Sequence, residues 1–134
     1  MDYAKLATDK DIQTTISALK QNGIDAVVVE NAAALQDQVL QMLPHGAEVM
    51  AMSSETLREA GIKELDTVRN KFPSLDEKAK RQLGAAPDWA IGSVHAVTQD
   101  GKLLIASNTG SQLPAYVYGA EHVIFVIGTQ KIVT

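Results

Sequence analysis

The 134-residue sequence contains no cysteine. That absence excludes disulfides, cysteine-ligated zinc, iron–sulfur ligation by this chain and thiol nucleophiles. Aromatic residues make up only 4%, so a core must be built from Val, Ile, Leu, Ala and a few Met. Basic residues are in deficit, 12 Lys and Arg against 16 Asp and Glu, for a net charge of −4. Phosphate backbones and anionic membrane surfaces both require a basic face, so neither nucleic acid nor membrane is an expected partner. No apolar run approaches the roughly 20 residues of a membrane-spanning helix. Met1 is followed by Asp2 and Lys5 rather than by a hydrophobic leader core, so a cytoplasmic location is expected. His45, His95 and His122 are far apart and form no ligand-spaced pair; no metal site is expected, and no motif requires a cofactor.

The composition is otherwise that of a folded protein, 46% apolar and 21% charged. The length suits one domain covering residues 1–134. Residues 9–22 place Ile12, Ile16 and Leu19 at helical spacing, and Asn22-Gly23 supplies a stop. Residues 24–30 (IDAVVVE) are a continuous β-branched run that reads as a strand buried on both faces. Asn31 can cap a helix over 32–43, which Pro44-His45-Gly46 ends, and 47–52 (AEVMAM) read as a second strand. A helix follows the Ser53-Ser54-Glu55-Thr56 turn and closes near Gly61; 62–73 read as irregular. Ser74-x-x-Glu77 then has the form of a capping box for a helix that Gly84 ends.

The second half alternates differently. Residues 89–98 and 102–107 flank Gln99-Asp100-Gly101, a hairpin signal in which both central positions would accept positive φ. A loop over 108–114, a short element through Tyr116 and Tyr118, and a buried strand over 121–128 complete the chain. The expected fold class is α/β: an open, mixed, mainly parallel sheet flanked by helices, with a hairpin around Asp100-Gly101.

Ligands of such sheets collect where strands end and helices begin. The first candidate site is therefore Ser53, Ser54 and Thr56, whose hydroxyls either cap the following helix alone or also reach an anion. The second is the small polar run Asn108, Thr109, Gly110, Ser111 and Gln112, a loop suited to a backbone nest for phosphate or carboxylate, or to solvent. It has neither the glycine–lysine pattern of a P-loop nor a dinucleotide fingerprint. His95 reads as a hydrogen-bonded packing residue within its strand, and His122 as a surface or cap residue. No paired carboxylates and no Gly-x-Ser-x-Gly elbow appear, so the catalytic residue is unassigned.

The run Asp88-Trp89-Ala90-Ile91-Gly92-Ser93-Val94-His95-Ala96-Val97-Thr98, followed by Asp100-Gly101 and by Ser107-Asn108-Thr109-Gly110-Ser111-Gln112, resembles the LUD-domain family, the lactate-utilisation protein C-like group. Residues 122–133 and the Ala51-Met52-Ser53-Ser54-Glu55-Thr56-Leu57 segment fit it too. The resemblance implies a fold like that of ribose-5-phosphate isomerase, glucosamine-6-phosphate deaminase and the CoA transferases, whose substrates sit in strand-end loops. It also implies a small anionic metabolite as partner, in lactate or related organic-acid utilisation, with iron–sulfur partner proteins carrying the redox centres. A non-catalytic subunit and a sugar-phosphate isomerase are the alternatives. Members of the family usually continue past the segment matching Lys131-Ile132-Val133, so the chain is expected to be short at its C-terminus, leaving a sheet edge that favours a homo-oligomer.

Overall fold

The computed structural model describes residues 4–134. In chain order they form α1 (Asp9–Gln21), α2 (Ala32–Met42), β1 (Val49–Ala51), α3 (Glu55–Glu59), α4 (Glu77–Ala85), β2 (Trp89–Gly92), β3 (Ala96–Thr98), β4 (Leu103–Leu104), β5 (His122–Phe125) and β6 (Ile132–Val133). The class is α/β, as expected. The strands, however, form two three-stranded sheets rather than one, in the orders β1-β2-β5 and β4-β3-β6. The chain divides into two compact units. Among the described residues, one holds 4–29, Val94–Ala106 and Ile127–Thr134; the other holds Glu30–Ser93 and Ser107–Val126.

In the larger unit β1, β2 and β5 are all parallel, with Val49 opposite Trp89, Ala51 opposite Ile91 and Gly92 opposite Phe125. Alternation along β1 sends Val49 and Ala51 to one face and Met50 to the other. The first face packs with Val39, Leu57, Ile62, Ile91 and Val126, the second with Met52, Val68, Ala90 and Ala115. Burial of both faces is the usual condition of a parallel sheet, which helices or loops must cover on each side. Asn31 caps α2 as expected, accepting the Ala34 N–H at 2.9 Å.

The smaller unit packs α1 with the second sheet. The Thr8 hydroxyl and the Asp11 carboxylate form a capping box at the start of α1, and the helix ends at Asn22 with Gly23 at φ +80°. The Asn22 amide donates to the carbonyl of Gly101 at 3.1 Å, and the Gln99 amide to Asp11 at 2.8 Å, tying the helix to the hairpin. The hairpin joins β3 and β4 antiparallel, but only Gly101 has positive φ, at +84°. The turn is therefore the type with one left-handed glycine after an ordinary turn, not one with two left-handed central residues.

Four further expectations are corrected. Residues 24–30 form no strand, and Val27 and Val28 are 60% and 52% exposed. β-propensity reports fit to a half-buried pleated surface, and no strand lies beside this run to provide one. The 89–98 run is two strands, broken at Ser93-Val94-His95, because its halves pair in different sheets. The Ser74 capping box does not form: Asp76 caps α4 through the Ala79 N–H at 2.8 Å, while Ser74 donates to the Lys71 carbonyl and Gly84 lies inside the helix. Finally, the strand expected over 121–128 is confined to His122–Phe125 and is only partly buried.

Candidate functional site

Because β1, β2 and β5 run parallel, their carboxyl ends meet on one side of the sheet. Just past them, the Met52 N–H donates to the Ile91 carbonyl and the Val126 N–H to the Gly92 carbonyl, each at 2.8 Å. Ser53 and Ser54 therefore emerge beside the end of β2. Ser53 is exposed, and Ser54 stands at the cap position of α3 without making a side-chain cap bond. The capping role expected for these serines is not what their hydroxyls do. Thr56 is half-buried in α3, where Glu55 and Arg58 form an exposed ion pair. That guanidinium holds the Glu55 carboxyl below its usual range.

The outer edge of β1 is finished by a segment that reads as irregular in the sequence. The structure gives it two 3-10 turns, Lys63–Leu65 and Arg69–Ser74. Between them the Thr67 N–H donates to the Val49 carbonyl at 2.8 Å, and the Thr67 hydroxyl accepts the Val49 N–H at 2.9 Å. The Asp66 carboxylate, 6% exposed, accepts from the backbone N–H groups of Ala51, Val68 and Arg69 at 2.9–3.0 Å and from Arg69 Nε at 3.1 Å. Arg69 Nη2 in turn donates to the Ala51 carbonyl at 3.3 Å. An edge strand left open would invite pairing with another chain, and here side chains substitute for the missing strand.

The second predicted loop is ordered by its own side chains. The Ser107 hydroxyl donates to Gln112 Oε1 and accepts the Gly110 N–H, both at 2.8 Å, and the Thr109 hydroxyl donates to Ser111 at 3.0 Å. Gly110 takes φ +74°, and Asn108 is exposed. The Gln112 carbonyl accepts the Tyr116 N–H at 3.3 Å, which leads the loop into a wide turn at Ala115–Gly119. The Tyr116 ring sets its edge against Phe125, with centroids 4.8 Å apart. Its phenol lies over Gly92: a Cβ there would overlap the phenol oxygen and stand 2.8 Å from Cε1. The serine turn thus follows the end of β1, and the 107–112 loop is joined through the Gln112 carbonyl to Tyr116, whose phenol reaches Gly92 at the end of β2.

Sequence reasoning missed Asp66, Arg69 and Tyr116. The signal for Tyr116 was Gly92, since a lone glycine inside a strand marks a close approach by another group. The histidines are elsewhere. His95 is exposed, and its Nδ1 accepts the Ala106 N–H at 3.2 Å; His122 stacks on Trp89 at 4.2 Å, at the opposite end of β2 and β5. Among the described residues no three metal-ligating side chains cluster, and no helix is long and apolar enough to cross a membrane. An open depression of about 450 Å³ is lined by Gln36, Leu40, Gly61, Glu64 and Leu65, none of them a predicted site residue.

An α/β unit built on a small parallel sheet is the class of protein these features define. The chain belongs to the LUD-domain family, a lactate-utilisation-related family whose model matches residues 12–134. Neither the curated proteins nor the solved structures gave a match.

Proposed function

We propose that this LUD domain binds a small anionic metabolite, an organic acid or a phosphorylated small molecule, at the carboxyl ends of β1 and β2, in lactate or related organic-acid utilisation. The ligand lies between the turn of Ser53, Ser54 and Thr56 and the loop of Asn108, Thr109, Gly110, Ser111 and Gln112. The observation that carries this reading is Arg69. Its guanidinium is fixed at the end of β1 by Asp66 and by the Ala51 carbonyl, yet its side chain is 38% exposed. Those two bonds use two of its five N–H donors, leaving a rigid fork suited to a carboxylate or phosphate. The 107–112 loop brings no competing charge of its own, for residues 107–120 contain no Asp, Glu, Lys or Arg.

The same geometry favours binding over proton-transfer catalysis. Asp66, the buried carboxylate at this edge, is spent on four donors, which counts against a proton-transfer role for it. Without a thiolate in the chain, redox steps in such a pathway fall to iron–sulfur partner proteins, with this domain as a binding subunit.

A thermal-shift series with L-lactate, inorganic phosphate and ribose 5-phosphate tests the reading. A ligand confined to the native state adds about 2.7 kcal/mol at a hundredfold excess over its Kd. The probe that binds is expected to stabilise the wild type. It should stabilise Arg69→Ala far less, because a charge-assisted hydrogen bond contributes roughly 1.5–3 kcal/mol. The comparison is of the ligand-induced shift within each protein, so stability that Arg69→Ala itself loses does not enter it. Unchanged melting with all three probes would remove the anion site.

A further inference from the structure

The phenol of Tyr116 is a half-buried polar group that no part of the sheet or core requires. Its ring is held by Phe125, but a phenylalanine would fill that role as well. What distinguishes a tyrosine here is the oxygen, which stands over Gly92 and hydrogen-bonds to the backbone of Ser93 at the end of β2. The Ser93 contact favours the phenolate, as an N–H donor to the oxygen does; burial outweighs it and pushes the phenol up to about 12. At neutral pH the group is therefore a neutral phenol whose oxygen accepts from the backbone and whose proton is on offer. It stands over Gly92 at the end of β2, on a residue whose backbone N–H is tied to the Gln112 carbonyl at the end of the 107–112 loop.

We propose that Tyr116 is a ligand-contacting residue of the strand-end site: its O–H donates to a carboxylate or phosphate oxygen of the bound anion, and residue 92 is glycine so that the phenol can stand there. The inference rests on the anion site proposed above and adds to it a neutral donor opposite the charged one. Arg69 supplies charge at the outer edge of β1, and Tyr116 supplies direction at β2. β1 and β2 are neighbouring strands roughly 4.8 Å apart, and Arg69 lies beyond β1. A ligand with acceptor oxygens at both ends can engage both donors.

Tyr116→Phe removes the O–H and keeps the ring, so the variant keeps the wild-type fold, with only the small drop in melting temperature that loss of the Ser93 bond brings. Calorimetric titration with L-lactate and with inorganic phosphate separates a carboxylate source of the acceptor oxygen from a phosphate source. The probe that binds the wild type should bind Tyr116→Phe about tenfold more weakly, the effect of one hydrogen bond. In the wild type, saturation with that probe should also shift the ring resonances of Tyr116. Equal affinity in Tyr116→Phe, with affinity lost in Arg69→Ala, overturns the role of Tyr116 and leaves the anion site standing. Binding of neither probe, nor of ribose 5-phosphate, overturns both. A second readout is alkaline stability. The folded phenol titrates above its unfolded value of about 10, so its stabilising contribution is complete below pH 10 and disappears as pH rises towards 12. Tyr116→Phe should lack that decline; an identical decline in both proteins would mean that the phenol is not desolvated over Gly92, and would also overturn the proposal.

Discussion

Replacing Asp66 by alanine is expected to cost about 3–5 kcal/mol, because three backbone N–H groups lose their acceptor at roughly 1–3 kcal/mol each. On a chain of this size that lowers the melting temperature by roughly 10–15 °C. The loss has several sources. The Ala51, Val68 and Arg69 N–H groups lose their acceptor, and Arg69 loses the carboxylate that orients it. The outer edge of β1 then keeps its Thr67 and Val68 bonds to Val49 and a bond from a less firmly held Arg69 to the Ala51 carbonyl. Asp66→Asn should cost less, because one acceptor oxygen remains while the amide's N–H groups face backbone donors. Urea unfolding of both variants measures the difference. A cost under about 1 kcal/mol for Asp66→Ala would mean that water satisfies the edge and that the carboxylate is not what closes it.

The second large effect is at Gly92. A methyl group there overlaps the Tyr116 oxygen, so Gly92→Ala must push the phenol away from Ser93 and loosen its ring from Phe125. Overpacking of this kind costs about 2–3 kcal/mol. The mechanism carries its own control, since the penalty belongs to the pair. In a Tyr116→Ala background the clash is gone, and adding Gly92→Ala should cost well under 1 kcal/mol, a clear departure from additivity. Equal penalties in both backgrounds would place the strain in the strand backbone instead.

What was legible in the sequence is what depends on neighbours along the chain. The periodicity and caps of α1 and α2 are local, and Asn22-Gly23 and Asn31 act where a reader of the sequence would put them. The hydroxyl-rich turn after β1 and the polar loop after β4 also stand out, because short polar runs after apolar strands are visible without a structure. The rest is set by partners far away in the chain. Residues 24–30 have the composition of a buried strand and no strand to pair with, and the 89–98 run divides because its two halves find different partners. Asp66 and Arg69 sit in a stretch with no periodicity, and their meaning comes from an edge of β1 some 15 residues earlier. Tyr116 is one of three tyrosines, and only the glycine at 92 hints which of them matters.

These features give a consistent physical account. A small parallel sheet is sealed at one edge by Asp66 and Thr67, its strand ends carry a fixed guanidinium, two serines and a phenol, and the polar loop that leads to that phenol is bonded to itself. The function proposed for this LUD domain follows from which of those groups still have donors to offer.

The measurement that tests the account most directly is the map of backbone amide shifts when the wild-type protein is titrated with whichever of L-lactate, inorganic phosphate or ribose 5-phosphate binds. The account predicts that the largest changes fall on Ser53, Ser54, Ser93 and Thr109 to Gln112, with the Arg69 side-chain resonance moving alongside them. Changes centred instead on the depression around Gln36, Gly61 and Glu64, with the strand ends unmoved, would contradict it.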